Sequence, residues 1–295
     1  MLKAMLLDSL ELKVLPAPMA GGPTTPELVR AAHTAGSFGT LAWGTSPVSD
    51  ALLDDVPDVP FGVNLFYPQY AEHTFGWHEK LDLALSAGAS VVWSMFGGFT
   101  DKEIDRIHAA GAEAWTTVTT PAEAQAASGA DVLCVQGPKA GGHRGTWDPY
   151  AEPDQRSLEE LLELIDGPVI AAGGLRTAAD VAAVLDRPNV VAVSCGSAFL
   201  LSDEAGTSEW NRELLRAGGK TVCSRAFSGR YARGLETDYT RSHPNHPMKY
   251  PELNAELAER RAQRDPAVAY CLVGTEVEKI SGGSTARILQ QLSII

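Results

Sequence analysis

The segment Asp131 to Gly145, DVLCVQGPKAGGHRG, joins an apolar strand to a glycine-rich loop that presents one imidazole. Its small residues let the backbone approach a flat ligand closely and take up positive φ where required. His143 supplies the nearby side chain that can exchange a proton near neutrality. Alone, a histidine in such a loop is as readily a solvated polar residue, so its meaning depends on what the rest of the chain brings to it. Two further glycine turns bring something specific. Gly173-Gly174-Leu175-Arg176 follows the apolar run Pro168 to Ala172, and Gly196-Ser197 follows Val190 to Cys195. N–H groups bared by glycine, a helix N-terminus and the Ser197 hydroxyl form a cradle suited to a phosphate dianion. A tight turn would use the same glycines, but two such turns in succession favour a phosphorylated ligand. Upstream, Pro16-Ala17-Pro18-Met19-Ala20-Gly21-Gly22 stiffens an extended backbone and leaves room beside it for a planar ring. Asn64 and Gln136 close two other runs, and each offers a donor and an acceptor to the edge of a heterocycle.

The elements that must position these residues read as repeated βα units. Eight short apolar runs recur: Val14 to Met19, Gly39 to Trp43, Phe61 to Leu65, Ser90 to Phe96, Glu113 to Val118, Asp131 to Gln136, Pro168 to Ala172 and Val190 to Cys195. Several are continuously apolar, as parallel strands buried on both faces must be. Thr25-Pro26 and Thr120-Pro121 place a capping hydroxyl before a helix-starting proline, while Thr100 to Glu103 and Ser157 to Glu160 resemble capping boxes. Gly36, Gly88, Gly111 and Gly129 stand where left-handed helix ends belong. The expected fold is an α/β (β/α)8 TIM barrel with a C-terminal helical and loop appendage. Residues 1–222 form the barrel on this reading, and residues 223–295 an extension packed on it rather than an independent domain. In such barrels active sites lie at the C-terminal ends of the strands, with phosphate held after strands seven and eight. The glycine turns obey both parts of that rule. The weakest unit is the second, whose helix near Ser46 to Asp55 is short and bounded by proline.

Composition narrows the function classes. A chain of 295 residues, 44% hydrophobic and 21% charged, has the make-up of a globular protein with a sizeable core. A formal charge of −13 and a pI near 5.0 disfavour nucleic acid as a partner. Cys134, Cys195, Cys223 and Cys271 lack C-x-x-C spacing and read as reduced thiols. Met1 to Leu10 lacks the apolar core of a leader, and no stretch approaches a membrane span, so a cytoplasmic location is expected. His243 and His246 lack an accompanying ligand set, and no metal is expected.

These residues resemble the nitronate monooxygenases, formerly 2-nitropropane dioxygenases, a family of FMN-dependent TIM barrels. The resemblance is clear over residues 12–235 and loose in the tail. Its most specific part is Gln136-Gly137-Pro138-Lys139-Ala140-Gly141-Gly142-His143-Arg144-Gly145, supported by Ala17 to Gly22, Gly62-Val63-Asn64, Ala171 to Gly174 and Ser224 to Leu235. It implies that Asn64 and Gln136 contact the isoalloxazine of FMN and that Ala17, Pro18, Met19 and Ala20 lie along it. Gly141, Gly142, Gly173, Gly174, Cys195, Gly196 and Ser197 would surround the flavin side chain and phosphate, with His143 catalytic. Where the family has Gln-Met-Gly-Thr, this chain has Ser194-Cys195-Gly196-Ser197, keeping the glycine and a hydroxyl and losing an amide. Between Phe66 and Ser90 it is shorter than its relatives, which bears on the wall above the flavin.

The implied reaction is oxidation of alkyl nitronates, with nitroalkanes a further substrate class, by O2 to a carbonyl compound and nitrite. His143 would act as general base or orient the anion, and Arg144 would either favour that anion or point to solvent. Two other readings stay open: an FMN- and NAD(P)H-dependent enoyl-thioester reductase, and a redox-inactive barrel that binds a phosphometabolite. Partners are a small-molecule substrate and O2, with dimerisation of the chain left open.

Overall fold

The computed structural model describes residues 6–44, 46–68 and 74–293. Eight strands lie parallel: Val14–Pro16, Thr40–Ala42, Gly62–Phe66, Val91–Met95, Glu113–Val118, Val132–Gln136, Val169–Ala172 and Val190–Cys195. Each overlaps one of the eight apolar runs. From the second strand to the eighth each pairs with the next in sequence, and the first strand pairs with the eighth, so the sheet wraps into a nearly closed (β/α)8 barrel. The seam lies between the first and second strands. Ala17 N donates to Cys195 O at 3.0 Å, so alternate residues of the first strand turn their nitrogens toward the second. Those residues include Pro16 and Pro18, which have no N–H to give. The Ser37 hydroxyl bridges the gap instead, donating to Val14 O at 2.6 Å.

Alternation along the strands sorts side chains between interior and helix-facing surfaces. Val91, Trp93, Trp115, Val132, Cys134, Ile170 and Ala192 pack inside, and Leu7 with Leu15 and Phe38 joins them. Trp93 and Trp115 meet edge to face with centroids 5.4 Å apart. A short 3-10 turn, Leu6–Ser9, closes the bottom of the barrel, with Leu6 N donating to the Glu113 carboxylate at 2.6 Å. The same alternation places Asn64, Phe66, Met95, Gln136, Ala172 and Ser194 inside at the opposite end, which is left for the site.

Helix starts follow the local signals. Thr25 and Thr120 cap Pro26–Thr34 and Pro121–Ala126, and capping boxes open Asp101–Ala109 at Thr100 and Leu158–Leu164 at Ser157. A further box, Thr177 with Asp180, opens Ala178–Leu185. Gly36, Gly88 and Gly111 adopt positive φ at helix ends, whereas Gly129 does not, so the fourth expected left-handed cap is corrected. The weak second unit holds only Ala51–Asp54.

The last helix, Thr285–Ser293, takes the eighth outer place. It packs against Pro26–Thr34 and Ala178–Leu185, and buries Ile288, Leu289 and Leu292 in the barrel's largest apolar cluster. The chain end therefore completes the ring of helices. Between it and the eighth strand, Thr221–Ser224 and Ala232–Leu235 form an antiparallel pair that adds Gly142–His143 as a third strand. The glycine loop after the sixth strand is thus pinned by residues roughly ninety positions later in sequence.

Candidate active site

A cavity of about 350 Å³ opens at the C-terminal mouth of the barrel, within the range of sites that hold a cofactor or drug-sized ligand. Every residue assigned from the sequence to catalysis or cofactor binding lines it: Ala17, Pro18, Met19, Ala20, Asn64, Gln136, Gly141, Gly142, His143, Gly173, Gly174, Cys195, Gly196 and Ser197. They come from the ends of the first, third, sixth, seventh and eighth strands, so strand pairing alone gathers them.

The Gln136 amide is spent largely on the loop itself. Its Nε2 donates to His143 O at 3.0 Å, and its Oε1 accepts from Gly145 N at 2.8 Å. Gln136 thereby fixes the spacing across the glycines and sets where His143 projects. Asn64 is similarly engaged, with Nδ2 donating to Trp93 O at 2.9 Å. Arg144 turns inward rather than toward an anion or solvent. Its guanidinium is buried and donates to Gly137 O and to Gln136 O, the latter at 3.1 Å. The guanidinium thereby ties together the carbonyls where the sixth strand gives way to the loop, and desolvation pulls this arginine down to about 10.

His143 sits at the centre of an aromatic cluster. Its ring lies 4.8 Å from Tyr250 and 6.2 Å from Phe96, both edge-on. Phe96 holds φ of 75°, a conformation a bulky side chain adopts only when its surroundings over-determine it. The buried Arg230 guanidinium rests 4.0 Å above the Phe96 ring. Burial, and then the neighbouring Arg230 charge, pull His143 down to about 3, so the imidazole stays neutral at ordinary pH. One ring nitrogen, Nε2, lies 2.8 Å from Ser228 Oγ, which donates to Arg230 O at 3.4 Å. With its proton on the carbonyl, Ser228 accepts from Nε2–H, and Nδ1 carries the ring's lone pair. Ser228→Ala is expected to lower kcat/KM by roughly tenfold through lost orientation while flavin affinity holds. Steady-state rates beside a flavin titration check this, and an equal loss in both would mean that Ser228 only supports the fold.

The other end of the cavity is built from backbone. Gly173 and Gly174 hold φ of 107° and 83°, and a Cβ at Gly173 would press on Gly137 O at 3.0 Å. Ser197 Oγ accepts from Gly274 N at 2.9 Å, which leaves its own proton to donate into the cavity. Asp180 of the capping box accepts from Arg176 N at 3.0 Å and Thr177 N at 2.9 Å, so a carboxylate already stands at the start of Ala178–Leu185.

Residues from the C-terminal segment that sequence reading did not single out also line the cavity: Tyr250, Asn254, Tyr270 and Leu272, with Arg176 from the seventh-strand turn. No local pattern marks the tail residues, because they reach the mouth only by folding back over it. Among nearby aromatic residues, Trp93 lines the cavity. Tyr67 packs on Trp77, Trp147 donates to Thr117 O, and Tyr231 donates to Glu152. Tyr239 stacks on His243 at 4.3 Å and hydrogen bonds His246, which accounts for both tail histidines. The shortened segment between Phe66 and Ser90 falls partly outside the described residues.

Comparison with known proteins converges on one family. A family model for nitronate monooxygenase matches residues 5–292. The nitronate monooxygenase of Pseudomonas aeruginosa is 30% identical over 270 residues, covering 75% of this chain and 76% of that one. Among solved structures, nitroalkane oxidase from Streptomyces ansochromogenes superposes with a TM-score of 0.89 at 30% identity, covering 98% of this chain and 96% of that one. FabK from Thermotoga maritima superposes at 0.77 with 24% identity, covering 97% and 93%, a likeness of fold.

Proposed function

Because the chain belongs to the nitronate monooxygenase family, we infer that this cavity binds FMN and oxidises alkyl nitronates with O2, releasing a carbonyl compound and nitrite. The observation that carries the reading is the pairing, in one cavity, of the His143 imidazole with the Gly173-Gly174 and Gly196-Ser197 turns. The residues fit the cofactor. Gly173, Gly174, Gly196 and Ser197 would hold its phosphate, and Ala17 to Ala20 with Asn64 would lie along its ring system. Bound there, FMN supplies the electron transfer that no side chain can.

The chain's own residues prepare the substrate. Phe66, Phe96 and Tyr250 exclude water from the face of the imidazole and offer apolar surface to an alkyl group. His143 Nδ1 stands as the polar contact for the reacting carbon or nitro group. An imidazole held near pKa 3 takes a proton poorly, so it removes a C–H proton from a neutral nitroalkane less readily than it orients a nitronate already deprotonated in solution. That favours nitronates over nitroalkanes as the working substrate. Two nitronates and one O2 give two carbonyl compounds and two nitrites: in each nitronate the carbon–nitrogen bond breaks, nitrite leaves with the negative charge, and one oxygen atom of O2 becomes the carbonyl oxygen.

The test is direct. Protein reconstituted with FMN should show flavin absorption, and the flavin should bleach faster anaerobically with a nitronate than with its parent nitroalkane. Rapid bleaching by NADPH with inertness toward nitronates would instead establish the reductase reading. With preformed nitronate, kcat/KM is expected to stay flat across pH 5–8, about the usual working range, because His143 remains neutral throughout. A break near pH 6.5, the ordinary histidine value, would contradict this environment for His143.

A further inference from the structure

Among the described residues, Arg176 is the one arginine or lysine that lines the cavity, and the fold leaves its side chain largely uncommitted. It is 8% exposed, and it follows the Gly173-Gly174 turn directly. Nη1 donates to Leu175 O at 3.1 Å, while Nε and Nη2 are buried without a hydrogen-bond partner. No carboxylate oxygen among the described residues lies within ion-pair distance of it. Of the acids that act on it through space, Asp180 caps its helix, Glu276 pairs with Lys279, and Glu278 lies beyond ion-pair distance. Buried N–H donors on two nitrogens of an unpaired guanidinium are costly unless something negative completes them.

The surroundings indicate where that completion would come from. Gly274 passes so close that a Cβ there would fall 2.4 Å from Arg176 Nη2. The same Gly274 donates its N–H to Ser197 Oγ, and a Cβ at Gly141 would lie 2.9 Å from that oxygen. Arg176, Ser197 and the glycine turns therefore converge on one end of the cavity. The helix that follows carries a carboxylate at its own N-terminus, Asp180, which accepts from Arg176 N and Thr177 N. A dianion held there by neutral amides and one hydroxyl would lack a counter-charge, and Arg176 provides it.

We propose that Arg176 is a phosphate-binding residue of this cavity, closing its guanidinium on the phosphoryl group of the mononucleotide and setting the preference for FMN over dephosphorylated flavin. This rests on the cofactor reading above and adds to it a residue that the backbone cradle does not require. Planar guanidinium donors suit a tetrahedral oxyanion better than an ammonium does.

The test compares wild type, Arg176→Met and Arg176→Lys by titration of flavin fluorescence with FMN and with riboflavin. Arg176→Met should lose about ten- to a hundredfold in FMN affinity, the worth of charge-assisted hydrogen bonds, with riboflavin affinity unchanged. Arg176→Lys should recover part of the loss. Without flavin, Arg176→Met should melt no lower than wild type, since an uncompensated buried charge has been removed. Unchanged FMN affinity, or a parallel fall for both flavins, would overturn the proposal. If wild type takes up neither flavin, the cofactor reading fails, and inorganic phosphate then judges the anion site. Thermal stabilisation of wild type by phosphate that disappears in Arg176→Met supports it, and stabilisation equal in both, or absent in both, overturns it.

Discussion

Replacing His143 with Asn is expected to lower kcat/KM for an alkyl nitronate by about 10²–10⁴-fold, the range lost when a positioned acid–base group is removed. FMN affinity should hardly change, because the imidazole stands at the opposite end of the cavity from the glycine turns. Asparagine keeps a polar group near the Ser228 hydroxyl, so the loss would be of the ring nitrogen facing the substrate rather than of packing. Anaerobic flavin bleaching by nitronate, followed by stopped flow, reads the step without oxygen. Undiminished bleaching would remove His143 from the reaction. Stability offers a second readout. A histidine whose pKa is lowered in the folded state destabilises the fold as pH falls from about 6.5 toward about 3, where the unfolded chain binds the extra proton. His143→Asn should therefore lose less stability than wild type over that window, and denaturant midpoints taken across it would show the difference.

Removal of residues 285–293 should prevent the rest of the chain from folding stably. Ile288, Leu289 and Leu292 are each 4% exposed or less, and burial of such side chains is worth roughly 1.5–3 kcal/mol apiece. Together they approach the whole stability of an ordinary domain, about 5–15 kcal/mol. The loss would also bare the apolar faces of Pro26–Thr34 and Ala178–Leu185. A single change, Leu289→Ala, should cost about 2–5 kcal/mol, read as a lowered denaturant midpoint with unchanged slope. A truncated chain that melts cooperatively near the full-length temperature would show that the ring of helices does not need this one.

The two predictions differ in how far the sequence foresaw them. His143, the glycine turns and the Pro16 to Gly22 segment are local features: glycine spacing, strand ends and capping hydroxyls are written in consecutive residues. Their convergence needed only the register of a parallel barrel. The closing role of Thr285–Ser293 was not readable in that way. An amphipathic helix shows that it has an apolar face without showing what covers it.

What the sequence determined by itself was the βα repeat, the barrel and the set of residues brought to its mouth, because hydrophobic periodicity and backbone chemistry act over short distances and strand pairing follows in order. What only the tertiary structure decided was how those residues are employed. Gln136 braces its own loop, Arg144 turns inward to carbonyls, Ser228 and Tyr250 reach His143 from a distant segment, and Nε and Nη2 of Arg176 are left without a partner. Each outcome depends on which donors and acceptors remain after folding has paired the rest, a competition among groups far apart in sequence that no local pattern records.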